Sequence, residues 1–160
     1  MNSKLLIIAA LALVASASME DFPSFDFSHA NCAMEVTYAN KDCRNVYNDI
    51  KALLITYKNG CPSKGIYNIK EDAFATYIWA TRTTPVKKYV DDVLFVFSQA
   101  ASNACTVTSR SRSQSLSYYD FATNYCNMWN PLQHTSAIST LNVSECKFPA
   151  DKPAEVCLIY

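Results

Sequence analysis

Seven cysteines follow a short apolar run near the N-terminus, and this combination constrains the chain more than any other feature. The run covers residues 5–15, comes after Lys4, and ends at the small residues Ala15-Ser16-Ala17. As a helix it rises only about 16 Å, too little to span a bilayer. Residues 1–17 therefore read as a cleaved secretion signal. In an oxidising compartment the cysteines that follow form a disulfide framework rather than metal ligands or reactive thiols. The absence of any C-x-x-C spacing points the same way. Cys32, Cys43, Cys61, Cys105, Cys126 and Cys146 are the expected bridge formers. Cys157, three residues from the last position given, is assigned as the leftover thiol, free or joined to another chain.

The remaining sequence suits one domain, with an irregular lead-in over 18–29 and a single helical domain over 30–160. Cys32, Val36, Ala39, Cys43, Val46, Ile50, Leu53 and Tyr57 recur at steps of four and three, which predicts one long amphipathic helix over residues 30–58. Gly60 and Pro62 would stop it. On such a helix Cys32 and Cys43 lie roughly 16 Å apart, too far to bond each other.

Asn68 and Glu71 resemble a capping box for a second helix through Ala80. Thr84-Pro85 suggests a third, running to Ala100, with Lys87 and Lys88 facing Asp91 and Asp92 at i,i+4 on a solvated face. Ser117 and Asp120 suggest a fourth helix over 118–130, ended by Pro131, with Phe121 and Tyr125 in the core. A short helix over 132–141 and an extended strap from Lys147 complete the expectation: an all-α, disulfide-stapled bundle of four to five helices. The alternating Ser of SRSRSQSLS (109–117) allows one short extended segment near 105–116.

Charge narrows the function classes. The chain has 14 basic and 14 acidic residues and no long basic run, which argues against a nucleic-acid binder. No later apolar run is long enough to span a membrane. Residues 93–144 carry only Arg110, Arg112 and Asp120 as charges but fifteen Ser and Thr, a surface suited to self-association, another extracellular protein or neutral glycan. Arg110 and Arg112 are candidate anion or glycan contacts, as are the rings of Tyr118 and Tyr119. Asn142-Val143-Ser144 is an N-glycosylation acceptor sequence.

Catalytic motifs are missing: no G-x-S-x-G, H-E-x-x-H, P-loop or G-x-G-x-x-G occurs. Asp26, His29 and Cys32 are spaced three apart, but helix capping by Asp26 and oxidation of Cys32 explain them better than a metal, and no cofactor is expected. The stretches YIWATRTTPVKKYVDDVLF (77–95) and SRSRSQSLSYYDFATNYCNMWN (109–130) resemble an uncharacterised group of small secreted cysteine-rich proteins of ciliated protozoa. That resemblance implies a secreted helical domain and carries over no catalytic residue. The expectation is a secreted, non-catalytic structural or interaction protein of a surface coat, matrix or assembly. Its alternatives are a carrier of an apolar ligand in the helical core and, third, a small hydrolase if Asp120, a His and a Ser converge.

Overall fold

The computed structural model describes residues 18–59, 64–101 and 103–160. The expected leader over 1–17, Cys61, and the Gly60 and Pro62 helix stop lie outside the described residues. The described chain overturns the all-α expectation. Its centre is a six-stranded, fully antiparallel sheet in the order β2-β3-β4-β5-β1-β6. The strands are β1 (Asn31–Ala39), β2 (Ile66–Ala73), β3 (Tyr77–Thr83), β4 (Val90–Ala101), β5 (Ala104–Ser113) and β6 (Thr140–Ser144). Helix α1 (Cys43–Tyr57) carries the chain from β1 across to the far edge at β2, and a meander then returns to pair β5 with β1. Helices α1 and α2 (Thr123–Thr135) cover one face, and a short α3 (Pro153–Val156) lies in the tail.

The first long helix fails because a step of four belongs to both periodicities. Cys32 and Val36 share a face in a strand as well as in a helix. Met34 and Tyr38 decide the matter: with Cys32 and Val36 they make an unbroken buried alternation, while Glu35 and Ala39 are exposed. Asn40 then takes a left-handed φ of 61°, and the Asp42 side chain accepts from the Asn45 N–H at 2.9 Å to open α1. The third expected helix becomes the twelve-residue β4. Its run of Val and Phe is buried on both sides of the sheet around Val93, Leu94 and Phe95, where helix and strand patterns are alike. Asn68 and Glu71 sit in β2 rather than in a cap, and Ala75 at φ 55° lies in the turn to β3. Residues 105–113 are extended, as the serine alternation suggested.

The fourth expected helix exists but runs on through Pro131. Proline removes the N–H that the Asn127 carbonyl would otherwise accept. The buried Tyr67 hydroxyl donates to that carbonyl instead, at 2.9 Å. The Tyr38 hydroxyl likewise donates to Leu132 O at 2.7 Å, near the helix end. The segment expected as a helix over 132–141 is divided between the end of α2 and strand β6.

Three disulfides join Cys32 to Cys146, Cys43 to Cys105 and Cys126 to Cys157. The assignment of Cys157 as a free or intermolecular thiol is thereby corrected. The tail is not loose, because α3 and the turn after it lay Cys157, fully buried, against α2, where Asn130 Nδ2 donates to its carbonyl at 3.1 Å. The sheet's other face is covered in part by the lead-in, whose Phe22 meets Trp79 edge-to-face at 5.5 Å.

Candidate functional site

At one end of the sheet the surface under α2 turns polar. Arg82, Asp91 and Ser113 are register partners on β3, β4 and β5, and all three side chains are buried. Helix α2 answers with Asn124, Asn127 and Asn130, spaced three apart and all buried. Asn127 Nδ2 donates to Asp91 Oδ2 at 2.9 Å and to Ser111 Oγ at 3.1 Å. Ser111 in turn donates to Asn124 Oδ1 at 2.7 Å, and Asn124 Nδ2 donates to Ser113 Oγ at 3.2 Å. These hydrogen bonds offset much of the cost of burying so many polar atoms.

Above this layer opens a cleft of about 360 Å³. The β3–β4 turn contributes Thr84 and Tyr89, and Asp91 and Ser113 line it from the sheet. The loop from β5 to α2 contributes Ser115, Leu116, Ser117, Tyr119, Asp120 and Phe121, with Thr123 from the first turn of α2. Phe121 and Ala122 are both left-handed, at φ 53° and 68°, so this loop is held in a conformation that L side chains rarely adopt. Asp120 fixes it by accepting from the Asn124 backbone N–H and side-chain Nδ2, each at 2.9 Å.

The two carboxyls of the cleft differ in environment. Burial pushes Asp91 up from the ordinary carboxylate range, against the hydrogen bonds of Asn127 and Ser113 and the nearby Arg82, while Asp120 adds to the rise. Arg82 is 1 % exposed and donates through Nη2 to the main-chain oxygen of Tyr160. Its Nε and Nη1, like Asn127 Oδ1, have no hydrogen-bond partner among the described residues. A Cβ at Gly65 would overlap the guanidinium, so glycine is what lets Arg82 lie there.

The residues singled out from sequence are dispersed. Tyr119 lines the cleft, and Tyr118 packs beside it at 5.0 Å with Lys147 over its ring at 4.6 Å. Phe121, expected in the core, is 76 % exposed on the rim. Arg110 and Arg112 lie elsewhere: Arg110 stacks 4.2 Å above Phe25, and Arg112 is bound to Asp26 at 2.6 Å. That ion pair, with His29, holds the Asp26 carboxyl far below its usual range and pins the lead-in to β5. The Asp26-His29-Cys32 spacing thus resolves into a hydrogen bond between Asp26 and His29 and a disulfide from Cys32. Asn142 is exposed on β6, opposite Glu35 of β1. Asp91 and Asp92 do not face Lys87 and Lys88, because β4 replaces the expected helix. Asp92 instead accepts from Trp79 Nε1 at 2.8 Å and pairs with Lys70 at 3.4 Å.

Sequence reasoning missed Arg82, Asp91, Asn124 and Asn127. The one available signal was the Asn-x-x-Asn-x-x-Asn spacing within an aromatic helix, which puts three amides on one side. Asp120 and three serines do meet in the cleft, with neither His29 nor His134 among its lining. Among the described residues no helix is long and apolar enough to cross a membrane, and no cluster of His, Cys, Asp and Glu could hold a metal ion.

The profile of a family described as proteins of unknown function, DUF1499, matches residues 15–129, and the chain belongs to that family. No curated protein matches the chain.

Proposed function

We propose that this member of the DUF1499 family is a secreted, non-catalytic interaction protein, and that the end of the molecule around the cleft is its binding face. One observation carries the reading. Phe27, Tyr89, Leu116, Tyr118, Tyr119 and Phe121 are all more than half exposed, and each lines the cleft or is joined to its loop by a contact. Lys147 links Phe27 to the loop by donating to its carbonyl while lying over Tyr118. Tyr89, Leu116, Tyr119 and Phe121 all line the cleft. Soluble monomers rarely leave such apolar surface gathered in one place without a partner for it. Secretion is supported by the apolar leader-like run and by three disulfides, which persist in oxidising compartments.

The carrier and hydrolase readings have less support. Apolar side chains and polar networks fill the space between helices and sheet, and the cleft has a polar floor unsuited to a lipid chain. A hydrolase would have to work without a histidine in its lining.

The test is expression with the native leader, followed by size-exclusion chromatography with light scattering and native mass spectrometry of the oxidised protein. Interaction requires that the protein reach the medium, carry no apolar ligand, and bind cell or matrix surfaces. The substitutions Leu116→Ser, Tyr119→Ser and Phe121→Ser, made together on exposed or rim positions, should abolish that binding with melting unchanged. A lipid retained through purification, or surface binding that the triple variant leaves intact, overturns the proposal.

A further inference from the structure

We propose that the cleft is a recognition site for a neutral sugar ring presented by a glycan. This rests on the reading of the protein as an interaction module and names the partner class of that same face.

The lining excludes the other common ligand classes. Among the described residues no lysine or arginine lines the cleft, and Arg82 beside Asp91 is buried, so a phosphate, sulfate or carboxylate finds no open cation there. An apolar chain makes no use of the carboxyl and hydroxyl oxygens that Asp91, Asp120 and Ser113 contribute to the lining. A sugar ring meets both halves of the lining. Its hydroxyls match carboxyl and hydroxyl oxygens, and its C–H face packs on an aromatic ring.

The positions of these groups suit that division. Asp91 and Ser113 lie at the floor on adjacent strands, held by Asn127 and Asn124 of α2. Acceptors held in this way lose little freedom when a ligand arrives, which favours affinity. Tyr89 and Phe121 stand at the rim, more than half exposed, and Tyr119 is braced from behind by Phe148 at 5.2 Å. The volume of about 360 Å³ falls at the small end of ligand clefts, consistent with a short oligosaccharide end.

The experiment uses the oxidised, full-length secreted protein. It is applied to an array of neutral oligosaccharides and then titrated with the methyl glycosides of glucose, galactose, mannose and N-acetylglucosamine. Binding to at least one neutral sugar is expected, weakened more than tenfold by Tyr119→Ala and by Asp91→Asn. Ile55→Ala, exposed on α1 away from the cleft, should bind as the parent does. A blank array, equal binding by both cleft variants, or competition by choline chloride at concentrations where the sugars act overturns the sugar site. Surface capture lost in the triple rim variant while the array stays blank removes this proposal alone. Capture that the triple variant leaves intact removes the interaction reading as well.

Discussion

Helices α1 and α2 lie side by side on the same face of the same sheet and share one apolar core, yet only α2 also buries a polar row. From α1 come Val46, Tyr47, Ile50, Leu54 and Tyr57, packed on Val36, Tyr38, Phe97 and Val107. From α2 come Tyr125, Cys126, Met128 and Leu132 in the same core and, beside them, three asparagines, two of which close over Ser111, Ser113 and Asp91. Apolar burial under α1 is stabilising in proportion to area. The layer under α2 brings little net stability, since each hydrogen bond replaces one to water. It does fix the floor of the cleft to one geometry. The apolar core shared by both helices holds the fold, and the polar row of α2 is a local departure from apolar packing, the kind of place where proposals of function belong.

The largest effect should come from untying α1. Replacing Cys43 and Cys105 together by alanine opens a loop with a sequence separation of 62, which the chain-entropy relation puts at about 4 kcal/mol. Denaturant unfolding would read that loss. Ile50→Ala, fully buried under the same helix, should cost about 3 kcal/mol through lost contact and a residual cavity. If folded Ile50→Ala loses sugar binding in proportion to stability, the two halves are not separable and the contrast fails.

On the α2 side a single atom suffices. Tyr67→Phe leaves the Asn127 carbonyl, already deprived of its helical partner by Pro131, buried without its donor. The expected cost is about 1–2 kcal/mol. Hydrogen exchange should show faster opening in the second half of α2 and none in α1.

The smallest effects are differences in pH dependence. Asp91 has a raised carboxyl in the fold, so the folded state holds its proton longer than the unfolded chain. Its ionisation therefore subtracts stability as pH rises from the ordinary carboxylate value through the folded one. Asp91→Asn should accordingly melt higher than the parent at neutral pH and no higher near pH 3. Asp26 carries the opposite sign. Its depressed carboxyl, held by Arg112 and then His29, contributes stability above about pH 4 that is lost as pH falls below it. Asp26→Asn should therefore lower the melting temperature at neutral pH and matter less in acid. Parallel shifts in the two variants would contradict the assignment of opposite environments.

These contrasts also show how much the sequence disclosed. The second half of the 32–57 pattern is helical, and Asp42 caps it, because only a helix satisfies both the four and the three steps from Cys43 onward. The first half is a strand, since Met34 and Tyr38 complete a period of two that the steps from Cys32 to Val36 cannot distinguish. In the 109–117 run the alternation allowed a short extended segment, which β5 realises as far as Ser113, but did not show that its serines face inward and its arginines outward. An inward serine is explicable only once Asn124 and Asn127 are known to lie across from it, and that depends on pairings remote in sequence. Asp91 was misread for the same reason. Beside Lys87 on a helix it would be solvated, whereas on β4 it is covered by α2.

The crossover through α1 sets the order in which the molecule can be assembled. Strand β1 leaves the ribosome early, but its neighbours are β5 and β6, with Val36 opposite Val107 on one side and Leu141 on the other. Until those strands are made, the apolar face of Cys32, Met34, Val36 and Tyr38 has nothing to pair with, and long-range pairings of this kind fold slowly. During that interval Cys32 and Cys43 are the first two thiols to meet an oxidant, while their native partners lie 114 and 62 residues downstream. Adjacent oxidation would join the wrong pair. Such a bond is non-native, so it would have to reopen by thiol–disulfide exchange before Cys32 could reach Cys146 and Cys43 could reach Cys105.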